Sequence, residues 1–384
     1  MNVTKIWCVL GAALLMAAAC KTTEPAPAPE PETVEQETEA KKTGEEAKAE
    51  PANAPILDDA TRASANDFWK AEVNNDSFVP VYVGARGVAV DGKDAVRFDL
   101  ETRTFRTEDR KGGPNALYIK ALTAPFEAAS KARAIEADEV SARSSFLAPG
   151  IFIEDGTRYG TFTDILYTAG QDLRPTYADG TEGDRFVVIG GSQPLKIITR
   201  KGEGWYGFNA ASPKLSVGPE DDEPTEEEPL ALTISIDARG IRVAAQSSLM
   251  MPIAGCPADG PTICNEEGTD GAQLLERVKS TQGAEREAAI DALVAAYNLS
   301  ALYKKVLKIK ASHPDETVVA ITADPEIPFA VVSAVAATVR TKRAGGDDNG
   351  HFADDSAFEA AEPSTGSFRQ GDSLFPDPVF AIAQ

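Results

Sequence analysis

The residue types able to do chemistry are few in this chain and stand far apart. There are two histidines, His313 and His351; one precedes Pro314 in a polar loop and the other follows Gly345 in an acidic stretch. Neither has a neighbour that would make it a base for a nucleophile, so both read as solvated. Gly190-Gly191-Ser192 lacks the strand-to-helix flanks of a nucleophile elbow, and no glycine-rich loop carries the lysine of a phosphate cradle. Asp347, Asp348, Asn349, Asp354 and Asp355 collect oxygen ligands of the kind Ca²⁺ takes. With Gly350 as the turn glycine, however, the first ligand position falls on Gly345, and the stretch reads as a solvated loop. Asp324 has no second carboxylate or base spaced to work with it, and a turn or capping role is sufficient for it. The expectation is no catalytic residue, no cofactor and no metal, hence not an enzyme.

Four cysteines remain to be placed. Lys5 is the only charge ahead of the apolar run Ile6–Ala19, whose small residues Ala17, Ala18 and Ala19 lead into Cys20. A helix needs about 20 apolar residues to cross a hydrocarbon core, so this shorter run reads as a lipoprotein signal peptide over residues 1–19, which takes Cys8 with it. Cys20 then becomes an acylated first residue and the anchor of the chain; a plain secretory peptide cut ahead of Cys20 is the other reading. Lys21, which follows Cys20, is not the aspartate that commonly marks retention at an inner membrane, which favours the outer membrane, with the inner membrane as the alternative. Cys256 and Cys264 flank a Pro/Gly-rich loop. An oxidising compartment suits a disulfide there, with two free thiols as the alternative, while a zinc site would lack its remaining ligands.

Lys and Arg total 38 against 60 Asp and Glu, a formal net charge of −22, which repels phosphate backbones and excludes nucleic acid as a partner. Residues 20–54, rich in Pro, Ala, Glu and Thr, hold too little apolar surface to offset the entropy of ordering and form a tether of roughly 30 to 100 Å reach. A second acidic, Pro-punctuated stretch, 218–229, separates a block at 55–217 from one at 230–384.

The two blocks read as tandem copies of one plan. VYVGARGVAV at Val81–Val90 and ISIDARGIRV at Ile234–Val243 share Ala-Arg-Gly in register, and each predicts a hairpin with Val81 and Val83, or Ile234 and Ile236, facing the core. Ile119, Leu122 and Phe126 correspond to Leu299, Leu302 and Val306 on an amphipathic helix, which Pro125 starts or kinks in the first copy. An apolar run follows in each, Ile151–Ile153 or Val318–Ile321, then an acidic turn, then an aromatic, Tyr159 or Phe329, that opens a second helix. Closing strands are expected at Arg185–Ile189 and Val379–Ile382. Strands joined through helices make the sheet partly parallel, so the fold class is α/β, in the two-layer α+β form with helices on one face.

The second copy's ADPEIPF, Ala323–Phe329, resembles the acidic turn followed by Pro and an aromatic in periplasmic domains of the ExbD/TolR biopolymer transport family. Tyr297–Lys310, His313–Val319 and Leu374-Phe375-Pro376-Asp377 are similar to the flanking segments of that family, so the resemblance covers most of residues 229–384. The first copy departs from it, with Arg158 where Pro328 stands and an insert at Lys131–Pro149. The resemblance implies a partner surface at Asp324, Pro328, Phe329 and Tyr159. It also implies envelope partners of an ExbB/TolQ-like or TonB/TolA-like energy-transducing system, and contact with peptidoglycan. The family's motor aspartate lies in a transmembrane helix. The only apolar run here contains neither Asp nor Glu, so no proton-motor activity is expected. Two readings of function follow: a lipid-anchored periplasmic interaction module accessory to such a system, or a peptidoglycan tether unconnected to a motor. Copies on one chain should dock as an intramolecular pseudo-dimer, with two independent beads as the alternative.

Replacing the anchor tests the first step directly. Cys20→Ala is expected to move the protein from the membrane pellet to the soluble periplasmic fraction on cell fractionation, whereas persistent pelleting would refute lipidation.

Overall fold

The computed structural model describes residues 54–57, 78–113, 115–133, 148–174, 192–199, 205–210, 230, 232–245, 248–340, 342–343, 357–358, 374–375 and 377–381. Cys20, the tether, the acidic stretch at 218–229, the strand expected at Arg185–Ile189, and His351 with the aspartates around Asp347 lie outside the described residues. No helix among the described residues is long and apolar enough to cross a membrane.

The expected α+β two-layer class is what the chain adopts. The first block contains β1 (Phe78–Gly84), β2 (Gly87–Val90), β3 (Lys93–Arg97), α1 (Thr123–Ala132), β4 (Ala148–Glu154), α2 (Tyr159–Asp172), β5 (Ser192–Thr199) and β6 (Trp205–Ala210). The second contains β7 (Thr233–Asp237), β8 (Gly240–Ala245), β9 (Ser248–Leu249), β10 (Ile263–Cys264), α3 (Gly271–Ser280), α4 (Gly283–Ala296), α5 (Leu299–Ser312), β11 (Val318–Ala323), α6 (Phe329–Arg340) and β12 (Asp377–Ala381). Hydrogen-bonded neighbours follow one path, β10-β8-β7-β11-β12-β5-β6-β4-β1-β2-β3, with β9 attached to β8. The β12–β5 pairing carries the path from one block to the other, and a single cluster of buried side chains draws on both.

Both hairpins form where alternation and the Ala-Arg-Gly turn place them. Val81 pairs with Val90 and Gly84 with Gly87, as Ile234 pairs with Val243 and Asp237 with Gly240. Each first strand also takes a parallel partner, Val81 opposite Ile151 and Ile234 opposite Ile321, the crossovers being made by the helical segments between them. Val81, Val83, Ile234 and Ile236 are all buried. The blocks differ on the opposite face. Tyr82 and Phe152 are also buried, stacked edge to face at 6.2 Å, while β7 alternates buried and half-buried positions. The Tyr in Val-Tyr-Val and the Ser in Ile-Ser-Ile record that difference.

A third strand supports each hairpin, and neither was expected from the sequence. β3 sets Arg97 opposite Gly87, and β10 sets Cys264 opposite Gly240. The shared glycine is required by this crowding as well as by the turn. Gly87 and Gly240 have φ of 151° and 145°, and a Cβ on either would be driven into a backbone carbonyl oxygen, of Val96 or of Ile263.

The first amphipathic helix starts later than the spacing of its apolar residues suggests. Ile119 lies in a bridge to Arg110, ahead of a 3₁₀ turn at Lys120–Leu122, and α1 begins at Thr123. Pro125 has no N–H to give the carbonyl four residues back, so an α-helical turn cannot run through Ala121; in the first turn of α1 it is tolerated. Ile119, Leu122 and Phe126 are buried nonetheless. In the second block Asp270 caps α3 through Ala272 and Gln273, and Asn298 caps α5 through Ala301.

One buried ion pair fixes the long loop that follows β3. Arg110 Nη2 lies 2.6 Å from the Asp164 carboxylate on α2, with side chains 12% and 6% exposed. Burial pushes the Asp164 carboxyl up to about 6 against the opposing pull of Arg110. The Tyr118 hydroxyl donates to the Asp172 carboxylate further along the same helix.

Gly87→Ala and Gly240→Ala are each expected to lower unfolding free energy by about 1–3 kcal/mol from backbone strain, with the carbonyl clash added. Urea denaturation of the variants beside the parent reads the effect; unchanged midpoints would contradict this crowding.

Candidate binding site

The two acidic turns meet. Glu154-Asp155-Gly156-Thr157-Arg158-Tyr159 and Asp324-Pro325-Glu326-Ile327-Pro328-Phe329 lie against each other, joined by an antiparallel bridge between Arg158 and Pro328. The helices they open, α2 and α6, have first-turn amides that no carbonyl of their own helix can satisfy. The Tyr159 amide donates to Ile327 O at 2.8 Å and the Gly160 amide to Pro325 O at 2.9 Å. In return the Phe329 amide donates to Thr157 O at 2.7 Å and the Ala330 amide to Asp155 O at 3.0 Å. The exchange is reciprocal, position for position. Neither Arg158 nor Pro328 is a residue whose side chain caps a helix, and the Arg158 side chain makes no such bond. Each helix is capped by the other block. Without these partners, the three donors on buried residues, those of Tyr159, Phe329 and Ala330, would cost on the order of 1–3 kcal/mol apiece.

Aromatic side chains seal the junction. Phe162 packs on Phe329 with centroids 5.0 Å apart and on Phe380 at 5.6 Å, while Tyr159 lies 6.0 Å from Phe162. The Tyr159 hydroxyl donates to Ile321 O across the junction at 3.2 Å, and its burial raises the phenol well above its ordinary pKa. Gly160 is needed here for closeness, since a Cβ on it would stand 2.9 Å from that of Pro325.

The four residues of the expected partner surface are thus brought together, but Tyr159, Pro328 and Phe329 are buried, and what covers them is the other block of the same chain. Asp324 is exposed. Burial and then the neighbouring Asp237 push its carboxyl up, with Arg239 and Arg242 opposing. Cys256 and Cys264 are joined as a disulfide with Cα atoms 5.5 Å apart, which ties the loop after β9 to β10. His313 closes α5 and is exposed. No group of three or more metal-ligating side chains occurs among the described residues.

A cleft opens beside the bridge, lined by Arg103, Gly156, Arg158, Lys279, Arg286 and Glu326 together with Glu101 and Thr102. Its basic residues come from separate elements. Asp99 organises the turn that delivers Arg103, accepting from the Glu101 and Thr102 amides at 3.0 and 2.9 Å. Arg103 itself adopts φ 54°, the left-handed region. Arg286, on α4, donates to Val278 O at 3.2 Å and to Gly156 O at 2.7 Å. Arg158 pairs with Glu326 at 2.8 Å, and Lys279 with Glu276 at 2.8 Å and Glu326 at 3.7 Å. Desolvation lowers Arg286 to about 10, with Arg103 the next cause, and it lowers Arg103 as well. Half-buried Glu154 accepts from the Ala85 amide, and burial raises its carboxyl. The free volume of the cleft is about 10 Å³, room for about one water. Sequence reading did not find Arg103, Lys279 or Arg286 as a group. The available signal was indirect: a helix that starts after Arg158 with no capping side chain must find its cap elsewhere.

Compared with protein-family models, with curated proteins and with solved structures, the chain has no match.

Phe162→Ala and Phe329→Ala are each expected to cost about 3–5 kcal/mol of stability. Their double-mutant cycle should show a coupling of about 0.5–3 kcal/mol, because the rings touch across the junction. Denaturant unfolding of the four proteins measures it, and strict additivity would mean that these two rings are not coupled across the junction.

Proposed function

We propose that this chain is a lipid-anchored periplasmic interaction module, made of two tandem ExbD/TolR-like copies docked as an internal dimer, and accessory to a Ton/Tol-type energy-transducing transport system. The observation that carries the reading is the reciprocal capping at the junction: two turns at equivalent places in two similarly paired units exchange equivalent hydrogen bonds. Such an exchange is what two subunits related by a two-fold axis make. The in-step pairings of β1, β2 and β4 with those of β7, β8 and β11 support a common unit. The sequence signals at Lys5–Cys20 support the anchor and the compartment, and the segments around Ala323–Phe329 support the transport link. Binding is the role such a module has; it works as an adaptor held near the membrane by a tether, with no motor of its own.

Crosslinking in native envelopes, followed by identification of captured proteins, tests the reading. The expected result is capture of a channel-forming or force-transmitting inner-membrane protein of the ExbB/TolQ or TonB/TolA type. Capture of peptidoglycan alone, with cosedimentation on isolated cell wall, would overturn the transport link and make the chain a tether.

A further inference from the structure

Of the four basic residues at the cleft, Arg158 and Lys279 already face carboxylates within ion-pair distance. Arg103 and Arg286 form no ion pair among the described residues, although the chain carries a net charge of −22. Arg286 commits Nε and Nη2 to the two carbonyls and lays Nη1 over Gly156, where a Cβ would stand 2.9 Å from it. The equivalent position of the other turn is Glu326, so one turn is bare where the other carries an acid. Glu154, whose charge acts on both arginines, is engaged with the Ala85 amide. Two guanidiniums lining one cleft in partly desolvated surroundings, with Arg103 and Arg158 both lowering the proton affinity of Arg286, form an electrostatic cost that a bound anion relieves.

We infer that this cleft is a binding site for a single peptide carboxylate, held between Arg286 Nη1 and the guanidinium of Arg103. Three features select that class. The enclosed part of the cleft is small and opens to solvent, which suits the charged end of a chain whose remainder stays outside. A planar carboxylate matches the guanidinium fork, whereas a tetrahedral phosphate brings further oxygens and charge toward Glu101 and Glu326. The net charge of the chain repels polyanions at long range, while one carboxylate meets mainly the local positive field. The site deepens the interaction-module reading, on which it rests, by naming the chemistry a partner would present. It can fail without touching the envelope assignment, which crosslinking tests separately.

The experiment titrates the full chain with acetyl-triglycine, its C-terminal amide and inorganic phosphate, following amide shifts of Gly156 and Thr102 by NMR. The carboxylate form is expected to bind, with the amide and phosphate at least about tenfold weaker, and binding should weaken as salt is raised. Arg103→Gln should weaken carboxylate binding at least about fivefold with thermal stability unchanged, since the Arg103 side chain makes no hydrogen bond among the described residues. Arg286→Gln should weaken binding to the same degree. That residue also holds two backbone carbonyls, so if Arg286→Gln unfolds, the binding of Arg103→Gln decides the matter. Equal binding of acid and amide, equal binding of phosphate, or full binding by Arg103→Gln would each overturn the assignment.

Discussion

Four backbone amides govern this structure. The first turn of any helix has donors without intrahelical acceptors, and when a helix starts inside a protein those donors must be met by something. In α2 and α6 they are met by the carbonyls of the opposing turn. That choice brings the turns into van der Waals contact, which makes Gly160 necessary against Pro325 and sets Phe162 against Phe329. The aromatic cluster then excludes water, and exclusion of water raises the cost of losing any of the four bonds. Packing and hydrogen bonding at the junction are therefore one cooperative unit.

Much of the frame could be read from residue patterns, and the reason is local. Val81, Val83, Ile234 and Ile236 alternate with polar or aromatic neighbours around Ala-Arg-Gly, so strand, turn and strand are specified within ten residues. The starts of α2 and α6 at Tyr159 and Phe329 were legible for the same reason, as the first aromatic residues after acidic turns. What was missed depends on partners distant in sequence. β10 has two residues, too few to show a period, and exists because Gly240 leaves room for the Ile263 carbonyl. α3 had a visible cap in Asp270, yet it stands outside the hairpin, helix, strand, helix, strand plan read from the two blocks. β5 and β6 owe their positions to pairing with β12 and β4.

The site shows the same division more sharply. The turn ADPEIPF stood out as a motif, and its residues do assemble, but nothing in the sequence indicates that Pro328 and Phe329 face inward against Arg158 and Tyr159. A hydrophobic pair after a turn looks alike whether it meets another protein or another part of its own chain. The arginines were harder still. Arg103 belongs to a loop, Arg158 to a turn and Arg286 to a helix, and only the fold converts three scattered positive charges into one locality.

The unlike residues at matched places, Gly156 facing one way and Glu326 the other, bear on stoichiometry. Two identical subunits around an axis must present every feature twice, so a bare turn on one side would imply a bare turn on the other. A chain that supplies both sides is released from that rule. One turn can stay acidic and hold Arg158 and Lys279, while the other clears a seat for Arg286. The molecule thereby acquires polarity, a front and a back, where a symmetric assembly would have had two equal faces.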